Sequence, residues 1–237
     1  VGKQLPAAVD ALYPDYTLYG ITDTAYGYLT RGCPRQCGFC IVGEKEGTQA
    51  RQLYKLEQFW RGQPHIKLLD PNITAAANCV DLLSELAATG AEVDFTQGLD
   101  LRLLTDEKLA ALSRVRTRVV HFAWDEPAEE GVICERLGAY IRATGAPYER
   151  ICVYVLVNYN TSFAEDLHRI YRIRDIGANP YVMIYKKETV AREYRNLQRW
   201  CNNRRIFRSV SHFEEYSPSK RKDDRWSTLP EMSEVDT

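Results

Sequence analysis

The sequence predicts an α/β fold, an open partial barrel of six βα repeats. Three observations predict it. Strand-like and helix-like segments alternate six times between residues 25 and 187, the pattern of a parallel sheet with crossover helices. Six repeats are too few to close the eight-stranded (TIM) barrel, so the expected form is TIM-like and open. Polar residues also recur at the carboxyl ends of the strand-like segments, where parallel βα folds bind ligands.

Each element has a local reason. Residues 25–30 (AYGYLT) read as the first strand and a cysteine loop follows. Residues 49–61 read as a helix, with Leu53, Leu56, Phe59 and Trp60 at helical spacing. Residues 65–69 form the second strand, ending in Asp70-Pro71-Asn72. A helix over 75–89 is stopped by Gly90. The third strand, 92–96, ends in Gln97-Gly98, and Thr105 can cap a helix over 106–115. The fourth strand, 118–123, ends in Trp124-Asp125-Glu126, before a helix over 128–144 that Gly145 stops. The apolar run ICVYVLV, 151–157, is the fifth strand and ends in Asn158-Tyr159-Asn160. A helix over 163–175, stopped by Gly177, leads to the sixth strand, 181–185. The expected organisation is a lead-in over 1–24, the barrel over 25–187, a helical extension over 188–216 with its helix at 190–202, and an irregular or disordered tail over 217–237.

The chain has 237 residues, 45% of them hydrophobic, which suffices for one substantial core. The net charge of −1 gives no bulk field to attract nucleic acid or a membrane surface. No apolar run reaches the length of a transmembrane helix, and no signal peptide is visible. The first residue is Val1, not Met, which leaves room for an upstream segment. Seven cysteines, an odd number with three clustered, argue for a reducing cytoplasm and metal-bound thiolates over a disulfide framework.

The densest chemical signal is Arg31-Gly32-Cys33-Pro34-Arg35-Gln36-Cys37-Gly38-Phe39-Cys40. Its C-x3-C-x2-C spacing differs from the separated ligand pairs of zinc ribbons and from the C-x2-C-x2-C run of bacterial ferredoxins. Three thiolates on one short loop can hold three corners of a cubane iron–sulfur cluster and leave one iron open. Cys33, Cys37 and Cys40 are the candidate metal ligands. Cys79, Cys134, Cys152 and Cys201 sit within expected helices or a strand and read as small packed residues. His65, His121, His168 and His212 are isolated, and His121 has the position to point inside the barrel. No glycine-rich phosphate loop occurs.

At the cysteine loop the chain resembles the radical S-adenosylmethionine (radical SAM) superfamily, whose signature is C-x3-C-x-aromatic-C, with Phe39 as the aromatic. The resemblance extends to the order of elements, because that family's core is a partial six-stranded βα barrel with the cysteines after its first strand. It implies a 4Fe-4S cluster and S-adenosyl-L-methionine as cofactors. It also implies reductive cleavage of the sulfonium to methionine and a 5′-deoxyadenosyl radical, hydrogen abstraction from an unidentified substrate, oxygen sensitivity, and a reductant such as flavodoxin or ferredoxin.

In the family pattern Phe39 lies against the adenine. Asp70 and Asn72, ending the second strand, are candidates for the ammonium, although the commoner Gly-Gly-Glu is absent here. Gln97 ends the third strand and joins the set. Arg102 suits the carboxylate by bidentate pairing, or equally a structural ion pair with Asp100 or Asp125. Asp125 and Asn158 are placed for the ribose diol, and Met183 and Tyr185 bracket the backbone that reads the adenine edge. Asp70, Asp125 and Asn158 also read as turn and cap residues. The segments 94–104 (DFTQGLDLRLL) and 13–20 (YPDYTLYG) resemble a subset of the superfamily whose members can carry an upstream cobalamin-binding-like domain.

Residues 186–225 hold twelve basic and six acidic side chains interleaved with aromatics. Such a mix can bind nucleic acid by phosphate contact and stacking. A helix on the barrel flank followed by a charged tail is the favoured reading. Two other functions compete with the radical enzyme: an iron–sulfur electron-transfer or sensing protein, and a radical enzyme that modifies nucleic acid through this segment. The sequence sets neither substrate nor oligomeric state.

Overall fold

Short aliphatic strands that alternate buried and open positions organise the molecule. A computed structural model describes residues 12–218 together with Pro6 and Val9. The tail expected over 217–237 therefore lies outside the described residues beyond Pro218, as does most of the first half of the lead-in. The described strands are β1 (Thr24–Gly27), β2 (Thr30–Arg31), β3 (Arg51–Gln52), β4 (His65–Leu68), β5 (Glu92–Phe95), β6 (Val120–Ala123), β7 (Ile151–Val157) and β8 (Asn179–Ile184). The helices are α1 (Val42–Glu46), α2 (Cys79–Ala88), α3 (Asp106–Leu112), α4 (Glu130–Thr144), α5 (Phe163–Ile176), α6 (Arg192–Asn202) and α7 (Arg204–Ser209).

The fold is mixed α/β with two three-stranded parallel sheets, ordered β1-β4-β5 and β6-β7-β8. Between them the ladder thins to a seam. An isolated parallel bridge pairs Leu99 with Phe122. The Leu99 N–H donates to the His121 carbonyl at 2.8 Å, and the Val93 N–H to the Arg116 carbonyl at 2.8 Å. Among the described residues the sheets do not close into a barrel.

Period-two alternation sorts the side chains. Ala25, Ile66, Leu68, Val93, Phe95, Val120 and Phe122 are buried with the apolar faces of the helices. The opposite face carries Tyr26, Lys67, Asp94 and His121 from β1, β4, β5 and β6. In β7 six of seven residues are buried, as a parallel strand covered on both faces requires.

The helix ends follow the expected chemistry. The Lys108 N–H donates to the Thr105 hydroxyl. Ser162 and Glu165 form a capping box at the start of α5. Gly145 and Gly177 end α4 and α5 in the left-handed conformation.

One expected element is overturned. Residues 49–61 are not a helix: Arg51–Gln52 pairs antiparallel with Thr30–Arg31, and only Leu56–Gln58 makes a 3-10 turn. Leu56 and Phe59 are buried at that turn, but Leu53 is 59% exposed, so the spacing does not mark one helical face. The strand expected over 25–30 is split. β1 ends at Gly27, where an added Cβ would lie 2.3 Å from the Phe59 ring, and the chain turns before β2. A short helix, α1, follows the cysteines and was not expected. The expected helix over 190–202 is observed as α6, and a further helix, α7, follows it.

Trp200 and Phe207 of the basic segment are fully buried, and Phe213 packs on Trp200 at 5.6 Å. Tyr194 packs on Phe163. These aromatics form core, which removes them as stacking platforms for nucleic acid. Trp226 lies outside the described residues. No helix among the described residues is long and apolar enough to cross a membrane.

Candidate functional site

The cysteine loop begins where β2 pairs with β3 and is fixed at both ends. Gly32 has φ +87°, and an added Cβ would meet the Gln49 carbonyl at 2.2 Å, so only glycine fits this approach. The Cys33 N–H donates to the Gly47 carbonyl and the Cys40 N–H to the Cys37 carbonyl. Arg31 pairs with Glu46 at 2.9 Å and lies 3.6 Å from the Tyr28 ring centre. Cys33 and Cys37 are half-buried and Cys40 is exposed.

Three contacts carry this loop onto the carboxyl ends of the strands. Asn72 Nδ2 lies 3.5 Å from Cys33 Sγ and 3.4 Å from Asp100 Oδ2. Arg35 pairs with Glu129 at 2.6 Å and approaches Asp100 at 3.8 Å. Phe39 meets Tyr159 edge-on at 5.0 Å, and Tyr159 meets Tyr185 at 4.8 Å. Gly38 lies so close that an added Cβ would sit 2.5 Å from the Tyr159 hydroxyl. One end of the strands therefore gathers Cys33, Cys37, Phe39, Asn72 and Tyr185.

Several expected site residues already have protein partners. Asp70 is buried and clamps the chain after β1: it accepts from the N–H groups of Leu29 and Thr30 and from the Thr30 hydroxyl. Burial pushes its carboxyl up, partly offset by these bonds. Its acceptors are taken, which leaves Asn72 nearer the thiols. Arg102 donates through Nε and Nη2 to Asp100, and through Nη1 to Glu129. A ligand carboxylate at Arg102 would have to exchange with one of these. Asp125 accepts the Leu156 N–H at 3.1 Å, and burial raises its carboxyl. Asn158, at φ +64°, donates to the Tyr185 carbonyl. Gln97 is exposed in the turn after β5. Met183 is 38% exposed on β8.

Sequence reasoning missed Arg35, Glu129 and Tyr159, whereas Asp100, expected as one of two structural partners for Arg102, takes that role beside Glu129. The two carboxylates and the arginines Arg35 and Arg102 form one charged cluster beside the thiols. Its members span up to 94 positions in sequence, so no local spacing could reveal it.

Among the described residues no three Cys, His, Asp or Glu side chains are close enough together to hold a single ion. A lone ion needs every ligand on one centre, whereas each thiolate of a cubane binds a different iron. The second demand is for several thiols set apart from one another, which a C-x3-C-x2-C loop can present. Arg35 Nε is buried beside them without a hydrogen-bond partner among the described residues, an unfilled donor suited to an anionic group.

Thiol reactivity should divide the cysteines. Burial raises the Cys37 thiol, the nearby Asp125 charge raises it further, and Arg102 and Arg35 oppose this. Burial pushes Cys79 and Cys152 up to about 11. The thiolate is the nucleophile, so at neutral pH iodoacetamide should modify exposed Cys40 first, and Cys37 labelling should climb as pH rises through its raised midpoint. Cys79 and Cys152 should stay unlabelled in the folded chain. Peptide mass spectrometry checks this; modification of Cys79 as fast as Cys40 would show that α2 does not shield it.

Comparison of the chain with protein-family models and with curated proteins returns no match.

Proposed function

We propose that the chain is a radical SAM enzyme built on an open (β/α)6 partial barrel. The observation that carries the proposal is the C-x3-C-x2-C loop whose Phe39 packs onto Tyr159, which in turn packs onto Tyr185, at the carboxyl ends of the strands. Strand order and polarity support the partial-barrel reading: two parallel sheets run in sequence order and meet at a bridge.

Cys33, Cys37 and Cys40 would hold a 4Fe-4S cluster. Such a cluster, with S-adenosyl-L-methionine, would supply one-electron cleavage of the sulfonium and hence hydrogen abstraction from substrate. The protein's own groups do the positioning. Asn72 holds Cys33 through a weak N–H contact and lends a carboxamide oxygen to the Thr74 hydroxyl at 2.6 Å. Phe39 offers a half-buried ring face beside the loop. Asp125 keeps a half-buried carboxyl near Cys37. Arg35 and Arg102, neutralised by Asp100 and Glu129, form a charged wall that can exchange one carboxylate for a ligand's. Gln97, Met183 and Tyr185 complete the rim from β5 and β8.

The test is anaerobic reconstitution with iron and sulfide, dithionite reduction and addition of S-adenosylmethionine, followed by chromatography for 5′-deoxyadenosine. Product formation is the expected result. A fully loaded cluster that yields no product would overturn the proposal and favour an iron–sulfur electron-transfer or sensing protein.

A further inference from the structure

The opposite, amino-terminal ends of the strands enclose a cavity of about 380 Å³ that none of the chemistry above uses. Its lining includes Lys67, Asp94, Arg118, His121 and Arg204. Its size falls in the range of small-molecule sites.

Two features mark it as built for a ligand. The first is charge. The Lys67 ammonium lies 5.6 Å from the Tyr26 ring and has no carboxylate in salt-bridge range among the described residues. Arg118 makes no ion pair or hydrogen bond among the described residues. Arg204 gives one N–H to the Glu149 carbonyl at 3.2 Å, which leaves its charge uncompensated. The second is polar groups without partners. Asp94 Oδ1 and His121 Nδ1 face each other at 3.5 Å across the seam, and both atoms are buried with no hydrogen bond. Buried polar atoms in native proteins are nearly always satisfied, so an unsatisfied pair lining a cavity calls for a partner. His121 is held by stacking on Tyr154 at 5.3 Å, and Tyr154 packs on Tyr181. The stack holds the His121 ring in place beside the cavity.

We propose that this cavity binds a small anionic ligand. Its phosphate or carboxylate is held by Lys67, Arg118 and Arg204, and its hydrogen-bonding remainder meets Asp94 and His121. The site lies at the other end of the strands from the thiols, so it stands apart from the proposed radical chemistry and needs no iron.

Isothermal titration of the full chain with AMP, inorganic phosphate and citrate, at low salt, tests the proposal. Saturable binding of at least one probe is expected. Because charge-assisted contacts dominate, the Arg118→Ala/Arg204→Ala double variant should weaken that binding about tenfold or more. Both arginines are exposed, so this variant should fold normally. His121→Phe, which keeps the ring stack, should weaken AMP more than phosphate. A preference for AMP or phosphate assigns a phosphoryl ligand; a preference for citrate assigns a carboxylate. Absence of saturable binding for all three probes, or binding indifferent to the arginine variant, overturns the proposal.

Discussion

Replacement of Arg169 by methionine is expected to destabilise the fold by about 3–5 kcal/mol, the usual cost of leaving a buried charge unpaired. Arg169 and Asp166 are fully buried and paired with each other. Arg169 also donates to the carbonyls of Trp124, Asp125 and Leu156 at 2.7, 2.8 and 2.9 Å. Asp166 in turn accepts the Asn158 N–H at 3.0 Å. One guanidinium thus satisfies the chain where β6 and β7 end, and its loss strands an anion and three acceptors together. Urea unfolding measures the effect. Arg172→Met is the control, because its partner Glu130 is in contact with solvent and the pair is screened; its midpoint should stay near wild type. A loss for Arg169→Met as small as the control's would mean that the network is not structural.

If the proposed cluster is bound, replacement of Cys33, Cys37 or Cys40 by alanine should reduce reconstituted iron from about four atoms per chain to near zero, because the other four cysteines sit in helices and a strand, not on the loop. Cys79→Ala and Cys201→Ala should keep full loading. Both residues are buried, Cys79 in α2 and Cys201 in α6, and burial raises both thiols. Iron and sulfide analysis with visible charge-transfer absorbance decides the matter. Equal iron loss in Cys79→Ala would overturn the assignment of ligands. Each variant must first show a native unfolding midpoint, so that iron loss is not mistaken for misfolding.

Much of the scaffold was legible in the sequence because its causes are local. The run ICVYVLV has no competing period, and its expected limits coincide with β7. Thr105, Gly145 and Gly177 mark helix ends through their own hydrogen bonds or backbone freedom. The failure at 49–61 has a tertiary cause. Apolar residues at helical spacing were drawn instead to a 3-10 turn, while Arg51–Gln52 found its partner twenty residues earlier in β2. The same limit governs the site. The cysteine spacing is a one-dimensional signal, but Asp70 serves Leu29 and Thr30 from 41 and 40 positions away. Nothing within its own turn distinguishes an acceptor for the backbone from an acceptor for a ligand.

The thin ladder between β5 and β6 means that the two half-sheets behave as leaves joined along a spine, not as one plate. Across that spine backbone hydrogen bonds are few; one apolar core runs under both leaves, and at the carboxyl ends of the strands Arg35 and Arg102 add ion pairs to Glu129. Ladders are indifferent to salt and proton activity in the physiological range, whereas charges are not. The carboxyl end of the spine therefore answers to ionic strength through Glu129 in a way that a continuous ladder would not.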